Sequence, residues 1–175
     1  MRHKGLFLLL IICAAASAWA AQAPALNGGL GKGPVHISAD SLHAENQPRQ
    51  QAVYTGKVVM TQGDVVINAQ TLTIDAAQGK IQKATAVGSP VTFTMSAAQR
   101  HGYGNILVYL PDSAEIILSG NAHLWQEKNE VSGERIVYFL QDQQTRVTAV
   151  PGQRVQSVFY PAAANRSASG NGKKP

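Results

Sequence analysis

The sequence predicts an all-β fold, a single antiparallel meander, and three observations predict it. Turn chemistry recurs roughly every ten to fifteen residues, from QP at 47–48 through QGD at 62–64, AQGK at 77–80, GSP at 88–90, HGYG at 101–104, PDS at 111–113, EKN at 127–129 and DQQ at 142–144 to PGQ at 151–153. The runs between these turns are dominated by Val, Ile, Thr, Tyr and Phe, and no window carries a 3.6-residue apolar stripe with helix caps. The chain also writes one unit twice. Residues 54–69, YTGKVVMTQGDVVINA, return at 118–133 as LSGNAHLWQEKNEVSG. An ungapped +64 offset joins Leu42/Ile106, Gln62/Gln126, Ile67/Val131, Leu72/Ile136 and Ile74/Tyr138.

In chain order, residues 1–20 read as a secretory signal peptide: Arg2 and Lys4 lead, an apolar run extends from Leu6 to Ala16, and Ala18-Trp19-Ala20 closes it, with cleavage expected after Ala20. The run is too short for a membrane anchor, and Ile12 stands before Cys13 where a lipoprotein site wants a small residue. Cleavage removes the only cysteine, so the exported chain has no disulfide and no thiol nucleophile. Residues 21–33 form an arm and 162–175 a tail, both rich in Ala, Gly, Asn and Ser and expected to be mobile. Residues 34–161 form one domain.

Within that domain each strand alternates one apolar face with one of Thr, Gln, Asn and Lys. Parity assigns inward Val35, Ile37, Leu42, Tyr54, Val58, Met60, Ile67, Leu72, Ile74, Val91, Phe93, Met95, Ile106, Val108, Ile116, Leu118, Leu124, Val131, Ile136, Tyr138, Val147, Val155 and Phe159. One apolar face turned inward makes a sandwich, a jelly roll or a flattened barrel. Parity flips between Ala69 and Leu72 and between Gly133 and Ile136, so bulges or bends are expected at Ala69-Gln70 and Gly133-Glu134. The first strand, VHISA, and the last, RVQSVFY, carry no interior Lys, Pro or bulge to protect an edge. Val35 and Ile37 on one and Val155, Val158 and Phe159 on the other are expected to be available for head-to-tail pairing with further copies.

Charge excludes one class of partner. The net charge of +5 belongs to the ends, because residues 21–165 hold ten basic and ten acidic side chains. A nucleic-acid footprint is therefore missing. His36, His43, His101 and His123 have no short paired spacing, so no metal site is expected. No GxSxG elbow occurs, Asp40, Asp64 and Asp112 fall at turns or strand ends, and no GxxxxGK[ST] loop is present. Catalysis and nucleotide hydrolysis are not expected, and no cofactor is called for. Trp125, Tyr103 and Tyr109 are rings of the kind that stack on sugars, so a secreted carbohydrate-binding module is the competing reading, with a ligand-free structural β-repeat as a third.

The segments PVHISADSL, YTGKVVMTQGDVVINAQTLTI, LSGNAHLWQEKNEVSGERIVYF and GQRVQSVFYP, taken in that order and spacing, resemble the LptA (organic-solvent-tolerance, OstA-like) family of periplasmic lipopolysaccharide-transport proteins. The resemblance spans about Pro34 to Pro161. It implies an open, twisted β-jelly roll whose apolar groove shelters lipopolysaccharide acyl chains. It also implies copies stacked head to tail between an inner-membrane lipopolysaccharide extractor at the N-terminal edge and an outer-membrane translocon at the C-terminal edge. By position Val35, Ile37, Phe93 and Tyr109 match lipid-contacting places of the family; of its basic residues near 76 and 83, Ala76 stands at the first and Lys80 or Lys83 near the second. The expected groove is lined by Val35, Ile37, Leu42, Tyr54, Val58, Met60, Ile67, Leu72, Ile74, Phe93, Met95, Tyr109, Ile116, Leu118, Leu124, Ile136 and Tyr138.

Overall fold

The computed structural model describes Leu30 and residues 33–161; the expected signal peptide, most of the arm and the tail lie outside the described residues. The strands are β1 (Val35–Ser38), β2 (Ser41–Glu45), β3 (Gln50–Gln62), β4 (Val65–Ala77), β5 (Lys80–Met95), β6 (Arg100–Leu110), β7 (Glu115–Gln126), β8 (Asn129–Phe139), β9 (Gln144–Thr148) and β10 (Gln156–Val158). A three-residue 3-10 turn, Ser96–Ala98, is the only helical element among the described residues. All pairings are antiparallel, in the order β1-β3-β4-β5-β6-β7-β8-β10, with β2 beside β1 along β3 and β9 beside β10 along β8. The sheet does not close on itself. It is the meander expected from the turn spacing, and an open jelly roll.

A line of ladder irregularities crosses the whole sheet. Register shifts fall at Thr55/Val58, Asn68/Thr71, Val87/Val91, Tyr103/Ile106 and Ser119/Ala122. Along this line every long strand bends, and the sheet folds into two half-sheets whose inner faces share one core, from Val58, Met60, Phe93 and Leu124 on one half to Leu72, Tyr109, Leu118 and Ile136 on the other. Gly102 shows how closely the halves approach: an added Cβ would lie 2.7 Å from the Phe93 ring and 3.3 Å from Leu118 across the interior.

The repeat explains how the line is built. Gly56 and Gly120 have φ of +82° and +78°, followed by Lys57 at +46° and Asn121 at +52°, so β3 and β7 carry the same bulge at the same place in each repeat. In each case a side chain sits over the glycine, Asp40 in the first and Asn105 in the second, leaving no room for a Cβ. The Asp40 N–H also donates to the Gly56 carbonyl at 2.9 Å. Because β3 and β7 absorb the extra residue, their inward positions keep one parity while β4 and β8 flip theirs: Ile67 and Leu72 are both buried on β4, and on β8 Val131 packs against the core while Ile136 is buried in it. The bends expected at Ala69-Gln70 and Gly133-Glu134 lie on this line, but in both cases the inserted residue belongs to the partner strand, β3 in the first and β7 in the second.

Each repeat consists of two long strands with one flanking strand on either side, and the flank at the outer edge of the sheet is divided at the fold line. By their common partners, β1 and β2 together correspond to β6, since Leu42 pairs Tyr54 as Leu107 pairs Leu118, and Ile37 pairs Met60 as Gly102 pairs Leu124. Likewise β9 and β10 correspond to β5: Val147 pairs Ile136 as Ala86 pairs Leu72, and Ser157 pairs Val131 as Phe93 pairs Ile67. The +64 offset therefore slips by one in β2, where the counterpart of Leu42 is Leu107 rather than Ile106. Two assignments change with it. Ile106 is 39% exposed and Val108 lies outside the core, while Leu107 and Tyr109 are buried. The run ILVYL is apolar at every position, so alternation could not reveal the flip at Tyr103/Ile106.

Candidate lipid-binding interior and its edges

Thirteen of the expected groove residues, namely Tyr54, Val58, Met60, Ile67, Leu72, Ile74, Phe93, Tyr109, Ile116, Leu118, Leu124, Ile136 and Tyr138, are buried together in the core between the half-sheets. Val35, Ile37 and Met95 are partly buried against the same cluster. Leu42 is different: it is 53% exposed, because β2 is an edge strand that pairs with β3 alone among the described residues. Val65, Ile81, Ala84, Ala86 and Leu107 also line the interior, beyond the residues that alternation assigns there. Val65 was within reach, two positions from Ile67 on an alternating strand. Ala84 and Ala86 were masked by the weak pattern of IQKATAVGSP. Leu30, assigned to the mobile arm, is buried at 3% exposure in the core cluster.

The interior is uniform in chemistry. Burial pushes the Tyr109 phenol up to about 12 and raises that of Tyr54, since a phenolate in an apolar enclosure loses its hydration. Gln62 and Arg100 are the only buried polar side chains among the described residues. In the first repeat, Gln62 donates from Nε2 to the Gly33 carbonyl at 3.3 Å. Lys83, near the family's second basic position, lies on the outer face 3.3 Å from Asp75 and is paired there.

At the two sheet edges the apolar interior reaches solvent. On the N-terminal side this is the region of Val35, Ile37 and Leu42. On the C-terminal side a cavity of about 190 Å³ opens between Leu124, Val131, Val147 and Phe159, with the Phe159 ring 72% exposed. Val155 and Val158 are exposed beside it. The outer sides of β1 and β10 have no strand neighbour among the described residues. Each edge therefore combines free ladder groups with uncovered apolar side chains.

The outer face carries a ring ladder across β6 and β7. His101 stacks on Trp125 at 5.1 Å, Trp125 on His123 at 5.5 Å, and His123 on Tyr103 at 4.7 Å, while His123 Nδ1 lies 3.1 Å from Glu130 Oε1. Tyr103 and Trp125 lie 5.6 Å apart within this ladder, and Tyr109 is buried on the opposite side of the sheet. The three rings considered for sugar stacking thus form no shared platform. Among the described residues no group of three His, Cys, Asp or Glu side chains is placed to hold a metal ion.

A profile of the family described as "LptA/(LptD N-terminal domain) LPS transport protein" matches residues 36–144. Lipopolysaccharide export system protein LptA of Escherichia coli (strain K12) is 29% identical over 169 residues, 93% of this chain and 90% of that protein. Lipopolysaccharide export system protein LptH of Pseudomonas aeruginosa is 31% identical over 129 residues, 71% of this chain and 73% of its own length. The crystal structure of LptH, described as the periplasmic LptA homologue of the lipopolysaccharide transport device, superposes with a TM-score of 0.66 at 28% identity, covering 73% of this chain and 96% of that one. With fold, repeat and profile in agreement over most of its length, the chain belongs to the LptA/LptD N-terminal-domain family of lipopolysaccharide-transport proteins.

Proposed function

We propose that this protein is a periplasmic lipopolysaccharide carrier, not an enzyme, that shelters acyl chains between its half-sheets and joins further copies edge to edge. The relatives' export and transport names support the transport role and its periplasmic setting. The observation that carries the rest is an apolar interior that runs through an unclosed sheet and reaches solvent at its two edges.

Transferring one acyl chain through water costs roughly 0.8 kcal/mol per CH₂, so several chains of about a dozen carbons cost tens of kcal/mol. In this fold the inward side chains already pack on one another. Parting the half-sheets along the fold line would exchange side-chain contacts for acyl contacts without exposing either to water. Such an exchange is close to balanced, which suits a conduit: lipid is held along its whole path and trapped nowhere. An edge-to-edge row of copies would continue the interior from one chain to the next, toward an inner-membrane extractor on the N-terminal side and an outer-membrane translocon on the C-terminal side.

Photo-crosslinkers at Ile37, Phe93 and Tyr109 are expected to form lipopolysaccharide adducts in cells, and those at the outward Thr61 and Asn68 are not. Equal labelling of both faces, or no adduct from any site, overturns the carrier reading.

A further inference from the structure

Arg100 is the one charged side chain buried among the described residues, at 5% exposure. It opens β6 on the inner face, where Met95 flanks it on β5 and Gln126 on β7. Its Nη2 donates to Gln126 Oε1 at 2.7 Å, and its guanidinium carbon lies 4.1 Å above the Tyr138 ring, contributed by the opposite half-sheet. No carboxylate among the described residues pairs with it, and its buried Nε–H has no hydrogen-bond partner. A desolvated cation with an unspent donor is costly unless something compensates it. The interaction with the Tyr138 ring offsets part of that cost and leaves the Nε–H unpaired.

The internal repeat supplies a control. Val35 pairs Gln62 as Arg100 pairs Gln126, so the two repeats hold valine and arginine at equivalent places on the same inner row. Valine suffices for the fold there. The second repeat has exchanged it for a planar donor fork in otherwise apolar surroundings. Arg100 also lines an open cavity of about 710 Å³ beside the β5–β6 and β7–β8 hairpins, with Gln99, His101, Glu127, Lys128 and Tyr160 among its other lining residues.

We propose that this end cavity binds a phosphate monoester, with Arg100 as its buried anion anchor and Lys128 as a second cation at the rim. A guanidinium already fixed through Nη2 and one ring face presents its remaining donors in a set orientation, which suits a tetrahedral oxyanion better than a mobile ammonium. The adjoining apolar interior makes a phosphorylated glycolipid the natural source of that group, its sugar phosphate in the cavity and its chains between the half-sheets. This last identification rests on the carrier reading; the anion site itself does not.

Binding of bisphosphorylated lipid A, enzymatically dephosphorylated lipid A and glucosamine 1-phosphate to the purified chain tests this, using wild type, Arg100→Val and Arg100→Lys, with circular dichroism and melting curves to establish folding. The expected result is that Arg100→Val weakens the phosphorylated lipid about tenfold, as for loss of one charge-assisted hydrogen bond, and leaves the dephosphorylated lipid unchanged, with Arg100→Lys in between. Equal loss for both lipids makes Arg100 a packing residue and overturns the proposal, as does wild-type binding indifferent to phosphate. Should Arg100→Val fail to fold, the ratio of the two lipid affinities in Arg100→Lys decides in the same way. Arg100-dependent binding of glucosamine 1-phosphate with no lipid binding upholds the anion site while rejecting the carrier. No binding of any probe rejects both.

Discussion

The internal β5–β6 seam specifies how two copies would meet. Because β9 and β10 correspond to β5, and β1 and β2 to β6, the pairs Ala86/Leu107 and Phe93/Gly102 translate into Val147/Leu42 and Ser157/Ile37 between neighbouring copies. Directly opposed residues in an antiparallel ladder have Cα atoms about 4.5–5.5 Å apart, within the roughly 4.4–6.8 Å that a disulfide spans. The sequence has one cysteine, Cys13 in the expected signal peptide, so introduced thiols have no competitor in an exported chain. A chain carrying Ile37→Cys and Ser157→Cys is expected to give a ladder of covalent multimers on a non-reducing gel after mild oxidation, and so is Leu42→Cys with Val147→Cys. Moving one member by a single residue, Ile37→Cys with Gln156→Cys, puts the thiols on opposite faces and abolishes the ladder. Leu42 is about half exposed in the single chain, so covering it at a junction is worth about 1 kcal/mol. Leu42→Ala should accordingly weaken association about fivefold, measured as the shift in mean mass with concentration by light scattering. Monomers only, or equal ladders from the matched and shifted pairs, would refute the transfer of register from the seam to the junction.

Other expectations concern the single chain. Ile106→Lys should change the melting midpoint little, whereas Leu107→Lys, one residue along, buries an unpaired ammonium in the core and should prevent folding as judged by circular dichroism. Gly102→Ala places a Cβ 2.5 Å from the His123 carbonyl oxygen and 2.7 Å from the Phe93 ring, and should cost about 1–3 kcal/mol in urea unfolding. Gly56→Ala combines a φ of +82° with a collision against Asp40 and should also destabilise, more than Gly79→Ala, where the added methyl meets nothing within 4 Å. Tyr109 titrates near 12 in the folded chain and near 10 unfolded, so its contribution is complete below pH 10 and is lost as pH rises toward 12. About 2–3 kcal/mol of stability should disappear over that window in wild type, and less in Tyr109→Phe, measured by urea unfolding at stepped pH.

Much of this molecule was legible because its strands alternate and its turns are marked. The class, the meander and most of the interior follow from Tyr54, Val58, Met60, Leu72, Phe93 and Leu118 alone. The parity flips disclosed the line where the strands bend, near Ala69 and Gly133, but set the bulges on those strands rather than at Gly56 and Gly120 on their partners. What stayed hidden had a physical reason in each case. ILVYL offers no polar residue to fix its phase, so the flip near Ile106 could be found only from its neighbours in the sheet. Leu42 has an inward phase, but sequence does not say that the edge leaves it uncovered. Leu30 stands alone among glycines, with no periodicity to signal that it packs. Arg100 follows a turn, where a cation is ordinarily solvated, and its burial depends on Tyr138 arriving from a strand thirty-eight positions later.

The eight-strand path across the sheet also sets a length scale. Neighbouring strands lie about 4.7–4.9 Å apart, so a copy running from β1 to β10 advances roughly 38 Å, and each of its two repeats about half of that. Copies joined through a seam like β5–β6 would extend a row in whole increments of that step, because the repeats are covalently tied in pairs. The gap such a row can cross is thereby graduated: a compartment must match a whole number of copies, or the sheet's twist and the flexibility of the end partners must absorb the remainder.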